Sequence, residues 1–126
     1  KSDNITRLVS LQALADMADP RGRRALAYRL NDNSDFLQTR LLAARALGRI
    51  GIRDGYDLSL AALADARSDP VETMTIRSNA ALALGAIGDR AALPALGKLA
   101  ETDADPQTQV AACCAIVQIT RGTGRK

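Results

Sequence analysis

The chain contains no histidine and no tryptophan, and only 2% of its residues are aromatic. Without imidazole there is no histidine general base, no Ser-His-Asp triad and no imidazole ligand for a metal. The two cysteines, Cys113 and Cys114, are neighbours. Two thiols alone do not make a zinc site, and a disulfide between adjacent helical residues would be badly strained. They read as reduced, small apolar residues; a redox pair and a bridge between two chains are the alternatives. Glycines fall at helix ends, and GTG at 122–124 has no strand before it, so no phosphate-cradling loop is expected. No apolar run approaches the ~18 residues a membrane span needs, and no signal-peptide pattern is visible. The chain begins with Lys1 rather than Met. It is therefore expected to be a fragment of a longer protein, for which the missing signal says nothing; the cytoplasm is the favoured compartment. No catalytic residue, cofactor or metal site is expected.

What is present is alanine and leucine. Hydrophobic residues make up 47% of the chain, and this composition suits close-packed helices rather than a β-sandwich built from β-branched and aromatic residues. A length of 126 residues fits one domain, 1–126, with a real core, and RGTGRK at 121–126 reads as a basic tail. The formal charge is +3. Residues 1–63 carry ten Lys/Arg against seven Asp/Glu, whereas residues 64–126 carry seven against seven, so the basic excess lies in the first half.

The sequence also repeats itself. With Arg7, Arg40, Arg77 and Gln109 aligned as position zero, the sixth position is alanine in every copy: Ala13, Ala46, Ala83 and Ala115. The third is Ser10, Ala43, Ala80, Ala112; the fourth Leu11, Ala44, Ala81, Cys113; the seventh Leu14, Leu47, Leu84, Ile116; the tenth Met17, Ile50, Ile87, Ile119. Positions three, four, seven and ten recur at helical spacing and mark one buried stripe. Gly51 and Gly88 stand where a helix C-cap is needed, and Gly48 and Gly85 let a neighbouring helix come close. A second apolar segment follows each turn: Ala25 to Leu30, Leu58 to Leu63 and Leu93 to Leu99. Asp-rich turns come next, at 31–35, 65–70 and 101–106, whose Asp and Ser residues are placed to cap the following helix. The unit is helix, turn, helix, turn, and no segment reads as a strand. Leu63 to Arg77 is four residues longer than the matching intervals. The excess, around Asp69 to Met74, reads as a longer loop or one more helical turn, or else as a recognition loop.

The stretches RLLAARALGRIG at 40–51 and IRSNAALALGAIGDRAALPALGKLAETD at 76–103 resemble HEAT repeats of the short bacterial kind related to phycobilisome-lyase repeats. The first copy, RLVSLQALADMADP, and the last, QVAACCAIVQIT, are degenerate versions. The marks of tetratricopeptide and ankyrin repeats are missing. The resemblance implies an all-α fold: an α-α superhelix, a HEAT-like solenoid of about three and a half helix-turn-helix repeats and seven helices. Its last helix, about 106–120, has no second helix to cover it, so Cys113, Ile116 and Ile119 need a neighbour; a homodimer through this uncapped helix is one solution. The resemblance carries no chemistry with it. HEAT-like iron hydroxylases use His-Glu pairs, which this chain cannot supply, and the phycobilin lyases share the repeat framework, which specifies fold rather than activity.

Positions one, two, five and nine point away from the buried stripe at about 100° per residue, and they vary between copies. In the HEAT family this helix lines the concave side, so the resemblance implies a partner-binding face built from Leu8, Gln12, Asp16, Leu41, Leu42, Arg45, Arg49, Ser78, Asn79, Leu82, Ala86, Val110, Cys114 and Gln118. Leu8, Leu41, Leu42, Leu82 and Val110 would form an exposed apolar run, and such a patch marks an interface. Arg45 and Arg49, one turn apart within it, suit an acidic or phosphorylated protein segment. Arg21, Arg23, Arg24 and Arg29 form a second basic group, read as a solvated turn; interleaved acids and scarce aromatics count against nucleic acid there. The function expected is a non-enzymatic protein–protein interaction scaffold. The alternatives are an accessory subunit of a bilin or cofactor lyase and, behind it, a solenoid binding nucleic-acid backbone.

Overall fold

The computed structural model describes residues 20–123, which form six α-helices and one 3-10 turn: α1 (Pro20–Asn31), α2 (Leu37–Arg49), α3 (Tyr56–Ala62), α4 (Pro70–Ile87), the 3-10 turn (Arg90–Ala92), α5 (Leu93–Thr102) and α6 (Pro106–Thr123). There is no strand among the described residues. The seventh helix expected from the first repeat copy falls in residues 1–19, outside them. All four prolines lie in a first helical turn: Pro20, Pro70 and Pro106 open their helices and Pro94 is the second residue of α5. The backbone N–H that proline lacks would be without an intrahelical partner there in any case.

The helices form two layers of an α-α solenoid. In the first, α2 packs on α4 and α4 on α6; in the second, α1, α3 and α5 each pack on the first-layer helix that follows. The repeat positions explain the contacts. Positions three, four, six and seven of α2 and α4 are completely buried: Ala43, Ala44, Ala46, Leu47, Ala80, Ala81, Ala83 and Leu84. They divide between two continuous cores, one around Leu26, Leu30 and Leu47, the other around Ile76, Leu84, Leu96 and Ile119. Ala83 belongs to the core of the repeat before it, so the cores run between repeats rather than inside them.

Position eight sets the spacing. A Cβ on Gly48 would lie 2.9 Å from the backbone nitrogen of Ile87, and one on Gly85 would lie 2.9 Å from the Cα of Ala115. Successive first-layer helices thus meet backbone to backbone, which only glycine allows. Gly51 and Gly88 adopt φ of +90° and +79°, as C-terminal caps require. At the first of these the Ile52 N–H donates to the Leu47 carbonyl at 2.9 Å, closing the helix end.

Position zero ties each repeat to the turn before it. The Arg40 Nε donates to the Leu30 carbonyl at 2.9 Å, the Arg77 Nε to the Asp65 carbonyl at 2.7 Å, and the Gln109 Nε2 to the Asp103 carbonyl at 2.8 Å. Arg77 also reaches forward to the Asp103 carboxylate at 2.9 Å, on a nearly buried carboxyl. The sequence shows the recurrence of this position but not its task, because the acceptors are main-chain oxygens with no residue signature.

Several expectations are corrected. The excess residues after Leu63 are one more turn of helix: Arg77 lies seven residues after Pro70, whereas Arg40 lies three after Leu37 and Gln109 three after Pro106. Four residues add about one turn, which preserves the phase of the buried stripe and removes the recognition loop. The last helix continues to Thr123, so residues 121–123 are helical rather than tail. Capping by turn carboxylates holds at α4, where Asp69 accepts from the Val71 N–H, and at α6, where Asp105 accepts from the Thr108 N–H. It fails at α2, whose cap residue is Phe36; Asp35 pairs instead with Arg29 at 3.1 Å. Of the three residues thought to need cover, Ile119 is fully buried and Ile116 half-buried against α4 and α5, while Cys113, expected in the core stripe, is exposed. Its equivalents Ala44 and Ala81 are fully buried, Ala44 against Gly55 at the start of its own repeat's second half; α6 has no such half among the described residues.

Two substitutions test this account. Gly85→Ala is expected to cost about 1–3 kcal/mol through overpacking, whereas Gly97→Ala, at an α5 position with open space around it, should stabilise by up to about 1 kcal/mol; urea midpoints compare them. Arg77→Met should cost about 2–3 kcal/mol, because it strands the Asp103 carboxylate and the Asp65 carbonyl together, and Arg40→Met, which frees one carbonyl, about 1 kcal/mol. Equal losses at Arg77 and Arg40 would remove the forward contact from the explanation.

Candidate partner-binding face

The face expected from positions one, two, five and nine separates in three dimensions. Leu8, Gln12 and Asp16 lie outside the described residues. Position one does not belong to a free surface. Leu41 is fully buried, in one cluster with Ile76, Ala80 and Leu84 of the next repeat. Ser78 is half-buried, with its hydroxyl 3.5 Å from that of Thr108 on α6. Both residues face along the solenoid, on the same side as the position-eight glycines, and the following helix covers them. Val110, the same position in α6, is 61% exposed because no described helix follows it. Single-helix geometry shows that position one leaves its own helix's core; it does not show that the neighbouring repeat stands on that side.

Among the described residues the expected run of exposed aliphatics is therefore not there. Leu42 and Leu82 are half-buried and pack against the two cores, leaving Val110 exposed by itself. What positions two, five and nine do present is polar: Arg45 and Asn79 half-buried, Arg49, Cys114 and Gln118 exposed, with Ala86 half-buried between them. Arg45 stands out electrostatically. Burial first, and then the positive charge of Arg49, hold its guanidinium below the ordinary arginine value. Among the described residues neither arginine has a carboxylate at ion-pair distance.

Many of the described acids are engaged elsewhere. Asp35 binds Arg29, Asp65 binds Arg67 at 2.7 Å, Asp103 binds Arg77, and Asp69 and Asp105 cap helices. Asp32 accepts from the Ser34 hydroxyl and backbone N–H, which hold its carboxyl below the usual range. Carboxylates thus collect at the turns between repeats. At the opposite end of the first-layer helices Arg53 pairs with Asp89 and lies 5.4 Å from the centre of the Tyr56 ring. Within the other basic group, Arg29 is taken by its ion pair, while Arg23 and Arg24 are exposed.

Three of the expected residues do come together. Ala86, Cys114 and Gln118 line a cleft of about 730 Å³ between the C-terminal ends of α4 and α6. Cys113, Val117 and Arg121 complete its α6 wall. The sequence reading missed Val117 and Arg121, since position eight was assigned to glycine and position twelve lay beyond the repeat. No group of three or more His, Cys, Asp or Glu residues placed to hold a metal occurs among the described residues, and no described helix is long and apolar enough to cross a membrane.

Residues 76–102 match the family model described as the PBS lyase HEAT-like repeat. Among curated proteins, the chain is similar to the phycocyanobilin lyase subunit alpha of Pseudanabaena tenuis (strain PCC 7409), with 44% identity over 77 residues. That alignment takes in 58% of this chain and 28% of the relative, so the chain spans under a third of the protein it matches. No solved structure matches.

Two like charges with no described carboxylate at ion-pair distance repel each other at a cost in stability. Arg45→Gln is therefore expected to raise the thermal midpoint at low ionic strength, with the gain shrinking as salt screens the pair; circular dichroism melts follow it. A lower midpoint at low salt would mean that Arg45 already has an anionic neighbour.

Proposed function

We propose that this HEAT-like repeat protein is a non-enzymatic holder of a protein segment, gripping it on the concave side formed by positions two, five and nine of the first-layer helices. The observation that carries the reading is the Arg45–Arg49 pair. Two guanidinium groups one turn apart, one of them half-buried, have no carboxylate at ion-pair distance among the described residues. A carboxylate or phosphate arriving from outside would gain charge-assisted, bidentate hydrogen bonds there and relieve the mutual repulsion. Asn79, Cys114 and Gln118 extend the surface with hydrogen-bonding groups, and the half-buried flanks of Leu42 and Leu82 give the segment limited apolar contact. The occupant that fits is an extended acidic or phosphorylated stretch of a partner protein.

Fluorescence anisotropy with a Glu-rich, Leu-containing peptide and its phosphoserine counterpart tests this. Arg45→Glu with Arg49→Glu should leave helicity intact and weaken binding by at least about tenfold, or roughly 1.4 kcal/mol. Leu82 is left unchanged because it packs on the core. Peptide affinity that survives the double reversal places the grip elsewhere.

The match to a lyase subunit supports a second reading, an accessory subunit of a bilin or cofactor lyase in which these repeats position a protein substrate while another chain performs the chemistry. In that case an absorbance change in phycocyanobilin should require the chain together with a partner subunit. A change produced by this chain alone would move the chemistry onto it.

A further inference from the structure

We infer that the outer side of α6 is a self-association surface on which two copies of the chain pair through antiparallel α6 helices, with Cys113 and Cys114 at the two-fold axis. The first observation is a substitution within the repeat itself. Position eight is Gly48 in α2 and Gly85 in α4, where even a Cβ would press on the backbone of the next helix at 2.9 Å. In α6 the same position is Val117, and it is 48% exposed. A further repeat stacked at the spacing used twice in this solenoid would have to accommodate an isopropyl group where there is no room for a methyl. This side of α6 is shaped for a helix at ordinary packing distance, about 8–10 Å between axes.

The second observation is the pattern on that side. Val110 and Val117 are seven residues apart, close to two turns, so they lie one above the other. Both are exposed, and Cys113 and Cys114, also exposed, flank the line midway between them. The stripe is therefore symmetric about the point between residues 113 and 114. An antiparallel copy laid against it brings Val110 opposite the partner's Val117 and each thiol pair opposite the other. An isologous contact of this kind uses one patch twice.

Charge then selects a second copy as the occupant. From Pro106 to Thr123 the helix has no acidic residue and one basic residue, Arg121. Pairing α6 with itself therefore places no like charges against each other at the centre. In the register set by the valines, residue 121 falls opposite residue 106 of the other copy. Arg121 thus arrives at the turn that carries Asp105, whose carboxylate caps α6 and has no ion pair among the described residues, Asp103 being already bound to Arg77, while the other copy's Arg121 meets the same turn on this chain. The two ends of the pair are complementary, and the stripe between them is uncharged. The Arg45–Arg49 pair lies on α2 and does not enter this contact; Cys114 is common to both surfaces, so the arginine variants are what separate segment binding from pairing.

The test uses the full chain under reducing conditions in sedimentation velocity over a range of concentrations, followed by mild oxidation. The unaltered chain should show a concentration-dependent dimer. Val117→Glu, at an exposed site, should remain monomeric across that range with an unchanged melting curve, and Arg45→Glu with Arg49→Glu should remain dimeric. Cys113→Ser and Cys114→Ser should each still form a disulfide-linked dimer on oxidation, since either remaining thiol is half a residue from the axis and its counterpart is offset by only about 1.5 Å along the helix. Arg121→Cys in a Cys113→Ser, Cys114→Ser background should not, because antiparallel pairing separates those positions by about 22 Å at 1.5 Å per residue. A chain that stays monomeric at every concentration overturns the proposal and leaves the face to a different partner. A dimer that survives Val117→Glu, or efficient cross-linking through Arg121→Cys, overturns it equally, by placing the contact elsewhere or running the helices parallel.

Discussion

Backbone meets backbone at Gly48 and Gly85, and the rest of the solenoid follows from how little space that leaves. Helices that approach so closely cannot interpose large side chains, so positions three, four and six of α2 and α4 are all buried alanine, with leucine at position seven. The scarcity of aromatics, 2% of the chain, is the same constraint seen in composition. Dispersion contacts in such a core are individually small and depend on the absence of gaps. Alanine without a bulky partner is useful only where the neighbouring helix comes to it. The glycines therefore determine which residues are worth burying, and a leucine at position one of α2 is drawn into the core.

The fold was legible because its constraints are periodic. Ala43, Ala44, Ala46 and Leu47 recur as Ala80, Ala81, Ala83 and Leu84, and every one is buried as the period requires. The positive φ of Gly51 and Gly88 was equally readable, since a glycine just past a periodic helix has few other uses. What could not be read was direction along the solenoid. Leu41 and Ser78 point away from their own helix's stripe, and one helix taken alone makes that side look free. Cys113 shows the converse: its letter fits the core stripe, but the second half-repeat that would bury it is not among the described elements. The added turn of α4 was visible as a length difference, and its form was settled by Pro70 and Asp69, which open and cap the helix four residues early.

The candidate site was legible in part, for a related reason. Arg45 and Arg49 could be found because they break a repeated pattern at positions facing neither core nor neighbour. The leucines grouped with them break the pattern too, but Leu42 and Leu82 lean back onto the cores at either side. Arg49 is exposed where Leu42 and Leu82 are not, because a half-buried leucine settles wherever packing accepts it while a guanidinium keeps its charged end toward water. Val117 and Arg121 went unseen for want of a reference: the repeat prescribes glycine at the first position and is silent about the second.

The reach of Arg77 gives the two joints of the solenoid different stiffness. Its guanidinium holds the turn behind it through the Asp65 carbonyl and the turn ahead through the Asp103 carboxylate, and Ser78 and Thr108 meet across the same junction. Arg40 holds only the turn behind it; the forward acid that would correspond, Asp65, is occupied by Arg67. The side-chain tie described between α2 and the repeat that follows is the exposed pair Arg53–Asp89, of a kind that contributes little. In a solenoid, where each unit touches only its neighbours, elasticity is the sum of its joints. A load applied along this one is expected to open the junction between α2 and α4, beside the arginine pair, before the doubly tied junction between α4 and α6.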